Sequence, residues 1–405
     1  MAISTEITRL QGAKASLKTS IENKGVNVPS ATKIDGYAAL VDQISQGATE
    51  ATENDVNFYD YDGFRVASYT IAEAKALTAL PTPPAHEGLT FQEWNWTLAD
   101  ITSYDRQYID VGANYITTDG KTHIFVNVEA GEPVSFNLSI PNYHIANIDW
   151  GDDSQIETYS GESSITHNYL TAGIKEIKID VLKDGGTPTN GAYFNVTPPL
   201  RAFKILLGAG FCLQQASYAG IISVPKDSCS YPTSASRSYF LGKCVSIPKV
   251  ASFNTNCLYQ GIGKVCFPKS INSEFPTRMA NAFQTTRMVI PNSADANAKL
   301  KTDTVQSETN TRVVSIPNVP LATDNVTYFN GLSKLSYIDI VQGWIPNNSI
   351  RLDYSTLWTD YTMVKFFNKL GTTSTAITLT FGSTNLNKLT ADQKAIATNK
   401  GYTLA

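Results

Sequence analysis

The spacing of hydrophobic positions changes along the chain, and each change marks off a segment. Near the start, Ile3, Ile7, Leu10, Leu17 and Ile21 fall on an a/d heptad seam, with Lys14 filling the vacant step. Gly25 ends this helix. After the Pro29-Ser30 turn, Thr32-Lys-Ile-Asp35 has the shape of a capping box. Ile34, Tyr37, Leu40, Val41 and Ile44 then share one face of a second helix. Two short helices cannot bury both stripes by themselves. Residues 1–47 are therefore expected to pack on the next domain as a hairpin or to serve as a docking or oligomerisation segment. Residues 45–54 are small and polar, as in a linker.

From residue 55 the pattern predicts a small α+β module over 55–110. An aromatic strand from Val56 turns at Asp62-Gly63 into Phe64–Thr70, a hairpin signal. A short helix follows within Thr70–Leu80, Pro81-Thr-Pro-Pro84 breaks it, and Phe91–Trp96 returns as a strand. Over 113–200 the period is two: Ile124, Val126 and Val128, then Val134, Phe136, Leu138 and Ile140, then Ile177, Ile179 and Val181. Short alternating strands at this spacing predict a β-sandwich.

Residues 205–405 carry a repeat. Ile222-Ser-Val-Pro225, Val245-Ser-Ile-Pro248, Val265-Cys-Phe-Pro268, Met288-Val-Ile-Pro291 and Val314-Ser-Ile-Pro317 place their prolines 23, 20, 23 and 26 residues apart. That spacing lies within the roughly 20–29 residues of leucine-rich repeats. Each apolar run is expected to be one strand of a parallel stack, with alternate residues facing the core. Proline ends the strand because it cannot donate the next ladder bond, and the Lys or Asn behind it faces solvent. Leu335–Ile340 and Ala376–Phe381 continue the pattern without proline, and Leu386–Thr403 reads as a polar capping helix and strand. The predicted fold class is multidomain and mainly β: short N-terminal helices, a small α+β module, a β-sandwich and a solenoid.

Three segments resemble known families. "FYDYDG", the proline-rich middle and "GLTFQEW" (Gly88–Trp94) resemble the Listeria–Bacteroides repeat, which implies a β-grasp-like module. Asp149-Trp150-Gly151-Asp152-Asp153-Ser154 with His167-Asn-Tyr169 and Gly173 resembles the PKD domain, although Asp153 stands where that family has glycine. The strand-proline unit, together with Cys257-Leu258 and Ala282-Phe283, resembles BspA-type leucine-rich repeats of bacterial surface and phage proteins. The opening Ile3–Ile44 resembles that of phage tail-fibre or virion-fibre proteins. The resemblances imply a virion structural protein that docks on other virion proteins through residues 1–47 and binds a host surface protein or glycan, as a homo-oligomer (dimer or trimer).

Composition narrows the function classes. Charged residues make up only 17%, the formal net charge is -4, and no Lys/Arg cluster offers a phosphate footprint, so nucleic acid is not expected as a partner. No apolar run approaches the length of about 18 residues that a membrane span needs. The N-terminus lacks a secretory pattern, which favours a virion assembled in the host cytoplasm over a bacterial cell-surface adhesin. A capsid decoration without receptor binding and a polysaccharide-degrading virion enzyme stay open as rival functions. Cys212, Cys229, Cys244, Cys257 and Cys266 are odd in number with no CxxC pair, and are expected to be reduced core residues. Four scattered histidines and the lack of nucleophile, zinc or phosphate motifs leave no catalytic, cofactor or metal site to assign. Asp149, Asp152 and Asp153 could offer oxygens to calcium but are read as turn caps. The concave solenoid surface is the default binding face, with Tyr218, Tyr239, Tyr259, Tyr328, Tyr354 and Trp358 as candidates.

Overall fold

The computed structural model describes residues 7, 11, 14, 15, 17, 18, 28, 29, 32, 33 and 37, and then 55–140, 144–183, 194–197, 201–208, 211–213, 218–227, 240–242, 245–249, 264–271, 287–300, 311–321, 329 and 332–405. The chain divides into two compact units, Met1–Asn54 and Asp55–Ala405. In the first, Ile7, Gln11, Lys14, Ala15, Leu17 and Lys18 are helical. The seam residues Ile7 and Leu17 are 50% and 39% exposed, whereas Val28 and Tyr37 are buried. Lys14 places its ammonium 5.8 Å from the centre of the Tyr37 ring. The other seam positions and the linker at 45–54 lie outside the described residues.

The second unit is mainly β. Its first sheet combines β1 (Val56–Tyr59), β2 (Arg65–Tyr69), β3 (Leu89–Trp94) and β4 (Ile109–Thr117) in the order β2-β1-β4-β3. β1 and β4 are parallel, while the outer pairs are antiparallel. Helices α1 (Ile71–Lys75) and α2 (Leu98–Thr102) each start in a capping box, Thr70 with Glu73 and Thr97 with Asp100. β4 crosses the boundary expected between 110 and 113, because Ile109, Val111, Ala113 and Tyr115 complete this sheet's core with Phe58, Trp94 and Trp96.

Next come β5 (Thr122–Val128), β6 (Pro133–Ser139), β7 (His144–Asp149), β8 (Glu157–Tyr159), β9 (Glu162–Asn168), β10 (Gly173–Lys183) and β11 (Phe194–Thr197). Period-two patterning works as expected on β6, where Val134, Phe136 and Leu138 are buried and their neighbours are not. β12 (Ala202–Leu206) pairs antiparallel with β5 on one side and parallel with β14 (Tyr218–Ser223) on the other. β14 then pairs parallel with β15 (Phe240–Gly242), making one seven-stranded sheet. The second sheet changes direction in the same way. β11 is antiparallel to β6 and parallel to β13 (Phe211–Leu213).

Beyond this switch the strands are short and parallel. β16 (Val245–Ser246) pairs with β17 (Val265–Cys266), and β18 (Ser270–Ile271) with β20 (Asn292–Ser293). β19 (Arg287–Val289) pairs with β21 (Val313–Ser315), which pairs with β22 (Tyr337–Asp339). Ile222, Ile247, Phe267, Ile290 and Ile316 face one core that is continuous with that of the antiparallel strands, through Ile124, Phe136 and Trp150. The chain closes with β23 (Ile350–Arg351), helix α3 (Asp360–Lys369), β24 (Ile377–Thr380), helices α4 (Gly382–Leu386) and α5 (Ala391–Thr398), and β25 (Tyr402–Leu404). The strand periodicity did not predict α3. Thr359 caps it, and Met363, Phe366 and Phe367 bury its inner face. Truncating Ile316, 1% exposed, to alanine should lower unfolding free energy by about 2–5 kcal/mol in a urea titration. Ile345→Ala, at a position 48% exposed, should change it by less than about 0.5 kcal/mol.

Candidate binding surface

On a strand, residues between those facing the core point the other way. In the parallel ladder these are Leu206, Ser223, Ser246, Cys266, Val289, Ser315 and Asp339, all 6% exposed or less. The ladder is therefore buried on both faces. Its second face is covered by β4 and by the segment between β3 and β4. The approach is close at Gly112, where a Cβ would stand 2.5 Å from Ser246 Oγ and 2.8 Å from Cys266 Cβ.

Polar side chains tie the two layers together. Asn95 donates through Nδ2 to the carbonyls of Ile247 (3.0 Å) and Cys266 (2.7 Å). Asn114 does the same to Val224 (2.9 Å) and Ser246 (3.3 Å), and Trp96 Nε1 donates to Phe267 O at 2.6 Å. The buried Arg106 donates to Ile290 O (2.8 Å), Ser315 Oγ (3.2 Å) and Asn292 Oδ1 (3.2 Å). Asp110, on β4, is paired with Arg287 and, at 3.1 Å, with Lys264. Desolvation raises its pKa, but these two cations outweigh it and hold the carboxyl below the usual range. Asp339, fully buried, accepts from Lys369 Nζ (2.6 Å), Ser315 Oγ (2.9 Å) and the Gln107 backbone N–H (2.9 Å).

The strand face expected to bind a partner is thus occupied by the chain's own residues 92–114. Behind the prolines Lys226 and Asn318 face solvent as expected, but two lysines do not. Lys249 pairs with Glu93 at 3.0 Å, and Lys269 donates to Ser103 Oγ at 2.6 Å, so both clasp the covering layer. Of the aromatic candidates, Trp358 is fully buried, 5.0 Å from the Phe381 ring, and cannot meet a partner. Tyr354 lies under the Arg351 guanidinium at 5.0 Å. For Tyr218 only the backbone, in β14, is described; Tyr239, Tyr259 and Tyr328 lie outside the described residues.

The aspartate turn caps itself and its neighbours. Asp149 Oδ1 accepts from Gly151 N (2.9 Å), Asp152 Oδ1 from Ser154 N (3.2 Å), and Asp152 Oδ2 lies 2.7 Å from His167 Nε2. Gly151, at φ +69°, and Asp153, at φ 61°, make the reversal. His167 stacks on the buried Trp150 at 4.5 Å, and Tyr169 donates to Trp150 O at 2.9 Å. Desolvation raises the Asp152 pKa, but bonds from Ser154 and His167 prevail and hold it low. Among the described residues no group of three or more His, Cys, Asp or Glu side chains is placed to hold a metal ion. Cys266 is a buried free thiol.

At one border of the covered face Tyr108, Tyr337 and helix α3 meet. The rings of Tyr108 and Tyr337 lie 6.4 Å apart, edge to face. Lys365 sits 4.7 Å over Tyr337, and Tyr361, one turn earlier on the helix, is 69% exposed. No family model, no curated protein and no solved structure matches the chain. What the geometry establishes is a mainly β, multi-sheet protein, without a helix among the described residues long and apolar enough to cross a membrane.

Asp110→Ala removes the buried carboxylate that Arg287 and Lys264 share and should cost about 3–5 kcal/mol in chemical denaturation. Because the folded carboxyl titrates below its unfolded value, its contribution is complete above that unfolded value and fades as pH falls through the folded one. The stability gap between wild type and Asp110→Ala should therefore narrow below about pH 4.

Proposed function

We propose that the chain is a bacteriophage virion structural protein, a tail or head fibre or baseplate component. It docks through residues 1–47 and presents the second unit to a host surface protein or glycan. The observation that carries this reading is the separate helical unit whose seam residues Ile7 and Leu17 stand 50% and 39% exposed. Half-exposed a/d positions are suited to burial against another helix, either of a virion partner or of further copies in a dimer or trimer. The second unit fits a presented body. Its antiparallel strands with the Trp150 turn suit a PKD-like sandwich. Its parallel ladder suits a leucine-rich-repeat-like solenoid, and residues 55–117 suit a β-grasp-like module that has docked on it.

Deleting residues 1–47 should abolish incorporation into particles, read by co-sedimentation with purified virions, while the remaining chain keeps its thermal unfolding transition. Unchanged incorporation would overturn the docking role. The double substitution Ile7→Ser, Leu17→Ser should lower the oligomeric state in sedimentation equilibrium; an unaltered mass would remove the seam from the interface.

A further inference from the structure

Beside Tyr337 stands a cation in no direct ion pair among the described residues. Lys365, partly buried on α3, makes no hydrogen bond or ion pair with them, and its ammonium rests on the Tyr337 ring at 4.7 Å. A cation–π contact of this kind contributes about 0.5–1 kcal/mol and leaves the N–H donors of the ammonium unused. Burial, and then the neighbouring Lys369, push the Lys365 pKa down. The nearby carboxylates are already engaged. Asp339 holds Lys369, Ser315 and Gln107, and Asp55 accepts from the Ile71 backbone N–H (2.8 Å) and from Gln107 Nε2 (2.6 Å). The Tyr337 hydroxyl is buried with no hydrogen-bond partner. Tyr361 lies on the same helix face as Lys365, four residues earlier, and offers an exposed ring.

An unused ammonium and an exposed aromatic ring one helical turn apart on α3, beside the buried orphan hydroxyl of Tyr337 on β22, are the components of a saccharide subsite. We propose that Tyr361 and Lys365, the latter seated on the Tyr337 ring, form a subsite for an acidic sugar. Tyr361 stacks on the sugar ring, and Lys365 donates to its carboxylate. This assignment rests on the reading of the second unit as the part that contacts host glycans, and it names the class of glycan. Neutral sugars would stack on Tyr361 but leave Lys365 unneutralised.

The test uses the full chain and a glucuronate-containing tetrasaccharide, with the same tetrasaccharide methyl-esterified as the uncharged control, followed by ligand-detected NMR and calorimetry. The acid form should bind about tenfold or more tightly than the ester, the effect of one charge-assisted hydrogen bond. Lys365→Met should bring the acid form down to the ester's affinity, and Tyr361→Ala should weaken both forms. Tyr361 is a surface residue, so its variant keeps the fold and remains informative if Lys365→Met does not. Equal binding of acid and ester, no binding of the acid form, or full binding by Tyr361→Ala would each overturn the subsite. Competition by inorganic phosphate at the same concentration as the sugar would reduce it to a simple anion site and overturn the sugar assignment. A parallel host-cell binding assay separates the two readings: cells bound by a protein that ignores the acid tetrasaccharide would remove the subsite alone. A protein that binds the tetrasaccharide but no host cells would remove the broader reading and leave the subsite.

Discussion

β12 is hydrogen-bonded antiparallel to β5 along one edge and parallel to β14 along the other, and the second unit depends on that change of direction. A stack of short parallel strands has an open edge at its first rung, where unpaired N–H and C=O groups would recruit other strands. Here the first rung is hydrogen-bonded to the antiparallel strand β5, so the ladder starts from a strand that is already paired. The cores merge as well: Ile124 and Trp150 belong to the same apolar cluster as Ile290 and Ile316. At the far end lysines complete the closure. Lys400 donates to the carbonyls of Phe367 (2.8 Å), Asn368 (2.9 Å) and Leu370 (2.6 Å), at the C-terminal end of α3 where orphan carbonyls favour a cation.

Covering the ladder's second face creates a separate demand, since buried polar groups must find partners. The Nδ2 groups of Asn95 and Asn114 meet it by reaching carbonyls one or two residues before the prolines, which have a lone pair to spare. The charged groups do different work. A buried pair such as Asp110 with Arg287 adds little net stability, because desolvation offsets most of its attraction. It does make a shifted docking of β4 on the ladder expensive, since a slip would leave either charge alone. Arg106 and Asp339 act in the same sense at neighbouring rungs. Apolar contacts hold the layer down, and the charges fix its position.

Much of this was legible in the sequence. The Asp62-Gly63 hairpin, the alternation on β6 and the short strands before Pro225, Pro248, Pro268, Pro291 and Pro317 stand where the patterns put them. Three features were not. β4 alternates, with Ile109, Val111, Ala113 and Tyr115 on one face, but the Asp110, Gly112 and Asn114 of its other face have the polarity of solvent-facing positions, although both faces are buried. Helix α3 hid among strands, although Thr359 and the spacing of Met363, Phe366, Phe367 and Leu370 carry a helical signal. The covered face was written in the small residues Ser223, Ser246, Cys266 and Ser315. A solvent-facing column would tolerate long charged side chains, whereas a column of serine and cysteine leaves room for a second layer. Reading it needs the strand register, which one strand's pattern does not contain. Trp358 fails as a binding candidate for a related reason: an aromatic beside a helix cap is a core residue once that helix exists.

The double covering limits where recognition chemistry can reside. A strand residue in the ladder faces either the apolar core or the docked layer, so substitution on either side disturbs packing. Freedom to change without cost to the fold is left to the first sheet's outer side, the turns of the antiparallel strands and the helical end. The most exposed apolar residues of the second unit lie in those places, with Phe64 on the Asp62-Gly63 hairpin, Leu170 and Ile174 beside a turn, and Tyr361 on α3. At α3 an exposed aromatic shares a face with a cation that rests on a ring and makes no ion pair among the described residues. A surface built to bind is marked by unmet chemistry more than by exposure, and by that measure the helical end stands apart from the hairpin and the turns.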